Sequence, residues 1–198
     1  MEDERILNSV FKRIGFDNDE EEWDVSSGII DVFNHCLSPE ECDNVSFAYE
    51  DLHYRHEMKF IRLAEDLFDR MRDKKIVVMF DFFSIPSSKH LAILEDLNPL
   101  EKIIWMDIIQ ALTKQPKTHY FEIASLEVLK TLIYINIREA YFMKFEFLEW
   151  GVALRGSYDC SMLIYFKDNE ALEKMKALVQ RNKLHIRDIT YRKEVVPK

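Results

Sequence analysis

The sequence predicts an α+β protein, with a ferredoxin-like split β-α-β-β-α-β core over about 76–192 and an acidic, mainly helical region before it. Three observations carry that expectation. Residues 47–71 repeat apolar side chains at helical spacing. Ile76-Val77-Val78-Met79-Phe80 is a continuous apolar run of the kind found in strands buried on both faces. From Ala140 onward, alternating segments, a turn, a capped helix and a final strand follow one another.

Taken in order, Ile6, Leu7, Val10, Phe11 and Ile14 predict a short amphipathic helix over 3–14, stopped at Gly15. Asp17 to Asp24 holds six acids in eight residues and reads as a solvated loop. Ile29 to Leu37 is a short apolar element ended by Ser38-Pro39. In the long helix, Phe47, Tyr54, Met58, Ile61, Ala64, Phe68 and Met71 share one face, and Lys74-Lys75 suit its C-terminal end. Asn98-Pro99-Leu100-Glu101 starts the next helix: Asn caps, Pro takes the first helical position, and Glu101 reaches back to the cap. This helix is expected to run to about Lys114, largely buried through Ile103, Ile104, Ile108, Ile109 and Leu112.

Residues 124–138 divide between two patterns, helical from Ser125 to Leu132 and strand-like at Ile133, Ile135 and Ile137. Phe145 and Phe147 alternate with polar residues, then the apolar parity flips to Leu148, Trp150, Val152 and Leu154, predicting a bulge near 147–148. Arg155 to Tyr158 is turn-like, and Met162, Ile164 and Phe166 resume a strand. Asp168 or Asn169 caps a helix bearing Leu172, Met175, Leu178 and Val179, and Leu184–Tyr191 is the last strand. The expected division is an acidic helical and loop region, 1–45, packed on one compact core, 46–198.

Composition narrows the function classes. The 198 residues include only four Gly and five Pro, which argues against a glycine-rich phosphate loop, and Gly151 to Gly156 lacks the required Lys. No apolar run approaches the ~20 residues that span a bilayer. The acidic start lacks a secretory pattern. Three cysteines form no closed disulfide framework. A cytoplasmic protein with no membrane association and no cofactor is expected.

The net charge of −9 is unevenly spread. Residues 1–51 carry 15 acidic and 3 basic side chains, whereas 52–198 carry 21 and 24. Residues 167–198 are basic, with nine cations against five anions. The acidic run therefore supplies one candidate interaction surface: Asp17, Asp19, Glu20, Glu21, Glu22, Trp23 and Asp24, with Trp23 as its apolar anchor. As a calcium loop it fails, because the sixth position lacks Gly and the twelfth is Gly28 rather than Glu.

A second candidate is Glu50-x-x-His53-x-x-His56-Glu57, in which Glu50, His53 and Glu57 fall on or beside the apolar helix face. Glu-x-x-His on an inward face is the unit of carboxylate-bridged di-metal sites, but no second Glu-x-x-His appears elsewhere. An RNA-recognition surface is not expected either. Ser157, Asp159 and Met162 stand where stacking aromatics are needed, and net acidity opposes phosphate binding. Cys160 with His185 is a weak candidate for a Cys–His pair, since it depends on the order of strands in the sheet.

No catalytic constellation is complete. The expected function is therefore a non-enzymatic protein-interaction module, of inhibitor or immunity type, that binds a basic protein partner through its acidic quarter. The alternative is a metal-dependent enzyme using the Glu/His cluster.

Overall fold

The computed structural model describes residues 26–44, 49–71, 75–80, 87–114, 120–123 and 125–191. Along them run β1 (Ser26–Asp31), α1 (Pro39–Asn44), α2 (Tyr49–Arg70), β2 (Ile76–Phe80), α3 (Ser87–Asp96), α4 (Pro99–Lys114) and β3 (Tyr120–Glu122). Then come α5 (Leu126–Ile137), β4 (Met143–Phe147), β5 (Val152–Gly156), β6 (Met162–Phe166), α6 (Asn169–Arg181) and β7 (His185–Thr190). The class is α+β. The helix expected over 3–14 lies outside the described residues.

The strands form one antiparallel sheet in the order β3-β2-β4-β5-β6-β1-β7. A split β-α-β unit is present as β6-α6-β7, and the strand inserted between its members is β1. The expected core instead started at 76–80, but that strand lies between β3 and β4. Periodicity tells which side of a strand meets the core and carries no information about its neighbour. Part of the region assigned to 1–45 is thus an interior strand of the sheet.

Alternation along the strands sends Val78, Phe145, Leu154 and Ile164 to one face, where they join Phe60, Leu63 and Leu67 of α2 and Leu129, Leu132 and Ile133 of α5 in a continuous core. Each such side chain contributes about 1.5–3 kcal/mol by leaving water. The opposite face carries a smaller apolar cluster, Ala153 and Tyr165 with Met79, Leu148 and Leu163. On that face Lys144 Nζ lies 2.9 Å from Oε1 of the fully buried Glu146. The approach is an ion pair without hydrogen-bond geometry.

The ambiguous stretch 124–138 is helical because α5 is buried on most sides, against α2, α4 and the sheet. Its alternating isoleucines are all in the core, so a period of two and all-round burial leave the same trace. Ser125 caps it, its hydroxyl accepting from Val128 N at 3.3 Å. The predicted caps of the neighbouring helices form as well. Asn98 Oδ1 accepts from Leu100 and Glu101 N–H at 3.0 Å, and Glu101 accepts from Asn98 N–H at 2.9 Å. Asp168 accepts from Ala171 N–H at 2.9 Å.

Three local expectations are corrected. Helix α4 is not largely buried: Trp105 is 1% exposed, but Ile103 and Met106 are 58% and 59% exposed. On α2 the buried face is turned toward Leu52, Phe60 and Leu67, leaving Tyr54 and Met58 on the outside. The parity flip after Phe147 is a tight reversal, in which a 3-10 turn over Leu148–Trp150 ends at left-handed Gly151 and pairs Phe147 with Val152. Gly156 is needed for close packing, since a Cβ there would sit 2.1 Å from Asn136 Oδ1. That buried amide both accepts from Met143 N–H at 2.9 Å and donates to Met143 carbonyl at 3.4 Å, fastening α5 to the start of β4.

Candidate functional site

The acidic interaction residues Asp17, Asp19, Glu20, Glu21, Glu22, Trp23 and Asp24 lie outside the described residues, as does the side chain of Glu50. The continuation of the acidic quarter is described: Glu40, Glu41 and Asp43 are exposed on α1. Ser38 and Glu41 cap that helix reciprocally, at 3.3 Å and 2.8 Å, and His35 holds the Glu41 carboxylate at 3.0 Å. These contacts keep the Glu41 carboxyl below its usual range, the Ser38 backbone N–H having the largest effect and His35 the next.

His53 and Glu57 both face inward from α2, as their spacing predicts, and α5 meets them with cationic and phenolic groups. Tyr134 donates to Glu57 Oε1 at 2.9 Å and Arg138 Nε donates to Oε2 at 3.1 Å. Arg138 also donates to Tyr134 and to the Asp96 carbonyl, the latter at 3.1 Å, and its guanidinium lies 3.8 Å from the Tyr134 ring centre. Burial, followed by the bond to Glu57, pushes the Tyr134 phenol up to about 12. A metal at Glu57 would compete with Arg138 and Tyr134 for the carboxylate. His53 Nε2 lies 3.5 Å from Glu139 Oε1, which also accepts from Asp159 N–H at 2.8 Å. Among the described residues, no three His, Cys, Asp or Glu side chains converge as metal ligands.

Beyond this network, Asp31 at the end of β1 is buried and bound by Arg187 of β7, with Nε at 2.7 Å and the second guanidinium nitrogen at 2.6 Å. The pair lies within the regularly paired block Ile29–Asp31 of β1, beyond the register shift between Ser27 and Ile29. Cys160 is fully buried in the β5–β6 turn, while His185 on β7 is exposed. Desolvation, with Asp31, Glu57 and Glu139 adding to it, pushes the Cys160 thiol up to about 12, the opposite of what a thiolate nucleophile requires.

A cluster outside the sequence-predicted candidates lies on the outer side of α2. Arg55, Lys59 and Arg62 stand at i, i+4 and i+7, one helix stripe, beside a groove of about 680 Å³ that Arg181, Asn182 and Lys183 close from the end of α6. The helical spacing of these three cations was present in the sequence, whereas the arrival of Lys183 depends on the fold. No helix of the described residues is long and apolar enough to cross a membrane. Comparison with protein-family models, curated proteins and solved structures found no match.

Proposed function

We propose that the protein is a non-enzymatic protein-interaction module, of inhibitor or immunity type, that captures a basic protein through its acidic first quarter. One observation carries the reading: 15 acids against 3 bases in residues 1–51, in a chain whose remainder carries slightly more bases than acids. Charge gathered in this way raises association rates with a cationic partner by 10- to 10³-fold and loses that advantage in salt. The exposed carboxylates of α1 extend the same sign of charge beyond the acidic run. Inside the fold, Glu57 and Asp31 are held by Arg138 and Arg187, so these acids serve to join helices and strands.

The test uses the full chain and a Glu20→Gln/Glu21→Gln/Glu22→Gln variant. A basic protein captured from host extract is purified, and its association rate with each chain is measured at low and at physiological salt. A rate that falls roughly tenfold with salt and with neutralisation supports the reading. Equal rates for both chains at both salt levels would sink it.

A further inference from the structure

The stripe Arg55, Lys59, Arg62 on α2 is unusual because, among the described residues, none of its members has a counter-ion. Ion pairs occur immediately beside it: Arg181 lies 3.4 Å from Asp66, Asn182 donates to Asp66 at 2.8 Å, and Lys130 lies 3.3 Å from Glu65. The acids at the lower end of the groove are thus engaged by neighbours, and its upper end is left with Arg55, Lys59, Arg62 and Lys183. Like charges crowded on one helix face destabilise it. Burial holds the Lys59 ammonium below the usual lysine range, and Lys183 adds a smaller push in the same direction.

Lys183 reaches the groove from a second element and is one of five described non-glycine residues with positive φ. It occupies the left-handed position that ends α6, with φ of 57°, where glycine is the ordinary residue. Its N–H donates to the Gln180 carbonyl at 3.0 Å, and Leu184 N–H to Val179 at 3.0 Å, so the turn is built from backbone alone and needs no side chain. A lysine here costs the fold some backbone strain and delivers one more cation to the groove.

We propose that this groove binds a short polyphosphate, the oligophosphate group of a small ligand. Two guanidinium forks, at Arg55 and Arg62, match the paired oxygens of phosphate, and Lys59 and Lys183 supply point charges between and opposite them. Seven helical residues span about 10 Å, longer than one phosphate group. Glu65, Asp66 and Asp69 line the continuation of the groove, so the run of cations without a described counter-ion ends at Arg62. This limits the ligand's length and excludes a long nucleic-acid strand.

Calorimetric titration of the full chain with sodium tripolyphosphate tests the proposal, with adenosine triphosphate, orthophosphate and a 20-nucleotide RNA as parallel arms. Tripolyphosphate is expected to bind at least tenfold more tightly than orthophosphate. Adenosine triphosphate binding more tightly than tripolyphosphate would identify a nucleotide as the source of the phosphates. Arg62→Gln is expected to weaken binding roughly tenfold, the effect of one charge-assisted contact. Lys183→Gly is the sharper variant: it relieves the backbone, so the chain should melt no lower than wild type while binding several-fold more weakly. Lys174→Gln, outside the groove, should bind as wild type does. Undetectable binding at millimolar tripolyphosphate, wild-type affinity in both the Lys183→Gly and Arg62→Gln chains, or tighter binding of the RNA would each overturn the assignment. None of these outcomes bears on the acidic quarter.

Discussion

Helix α2 carries charge on two sides, and the sides are treated differently. On the inner side Glu57, 7% exposed, is bound at both oxygens by Tyr134 and Arg138. On the outer side Arg55, Lys59 and Arg62 stand together with no acid of the described residues at ion-pair distance, although Glu65 and Asp66 follow within a turn. A charge taken out of water must be paired or it costs several kcal/mol, so the inner arrangement is a condition of folding. Arg55 and Arg62 are exposed and under no such demand, while Lys59 is half-buried and still has no acid beside it among the described residues. The outer cluster therefore reflects something other than the stability of this helix.

The largest expected effect breaks the inner side. Glu57→Ala leaves the Arg138 guanidinium without its acid between α2 and α5, and should cost about 3 kcal/mol in urea unfolding. Replacing both partners by apolar residues, Glu57→Leu with Arg138→Met, should recover most of that loss. If the single and double variants were equally unstable, the pair would not be what matters at this contact.

Next in size is the junction below it. Gly156→Ala would drive a methyl group into Asn136, whose amide holds Met143, and should cost about 1–3 kcal/mol. A third effect is smaller and comes from pH. The unfolded chain releases the Tyr134 proton near 10 and the folded chain near 12, so the folded state binds more protons between those values. Stability must fall as pH rises through that window and then level off. Cys160 shifts in the same direction, from 9 to about 12, so Tyr134→Phe should flatten only part of the slope. An unchanged slope in that variant would show that Tyr134 does not contribute.

Local structure was more legible than arrangement. Asn98, Glu101 and Asp168 announced their helix starts because a cap needs only residues three apart. The strands at 76–80 and 162–166 were legible from apolar content. The place of β1 between β6 and β7 was not, because partner choice is settled by packing over the whole sheet. Helix α4 read as buried from its isoleucines, yet among its described side chains only Trp105 is deeply inserted. At the candidate site, the inward direction of His53 and Glu57 followed from helical geometry. Their partners Glu139, Tyr134 and Arg138 come from α5 and the turn after it, some 80 residues on, a distance no local pattern spans. The cationic stripe was half legible, since Arg55, Lys59 and Arg62 are regularly spaced while Lys183 joins them only through the fold.

The contrast between the two sides of α2 is tested most directly by the melting temperature of an Arg55→Gln/Lys59→Gln/Arg62→Gln chain, with and without tripolyphosphate. Without ligand it should melt at or slightly above wild type, because like-charge repulsion is relieved and no ion pair is lost. At a ligand concentration of about 100 times the wild-type Kd, wild type should rise by roughly 5 to 10 °C and the variant should not move. A variant that melts well below wild type without ligand, or rises with it as wild type does, would contradict the account.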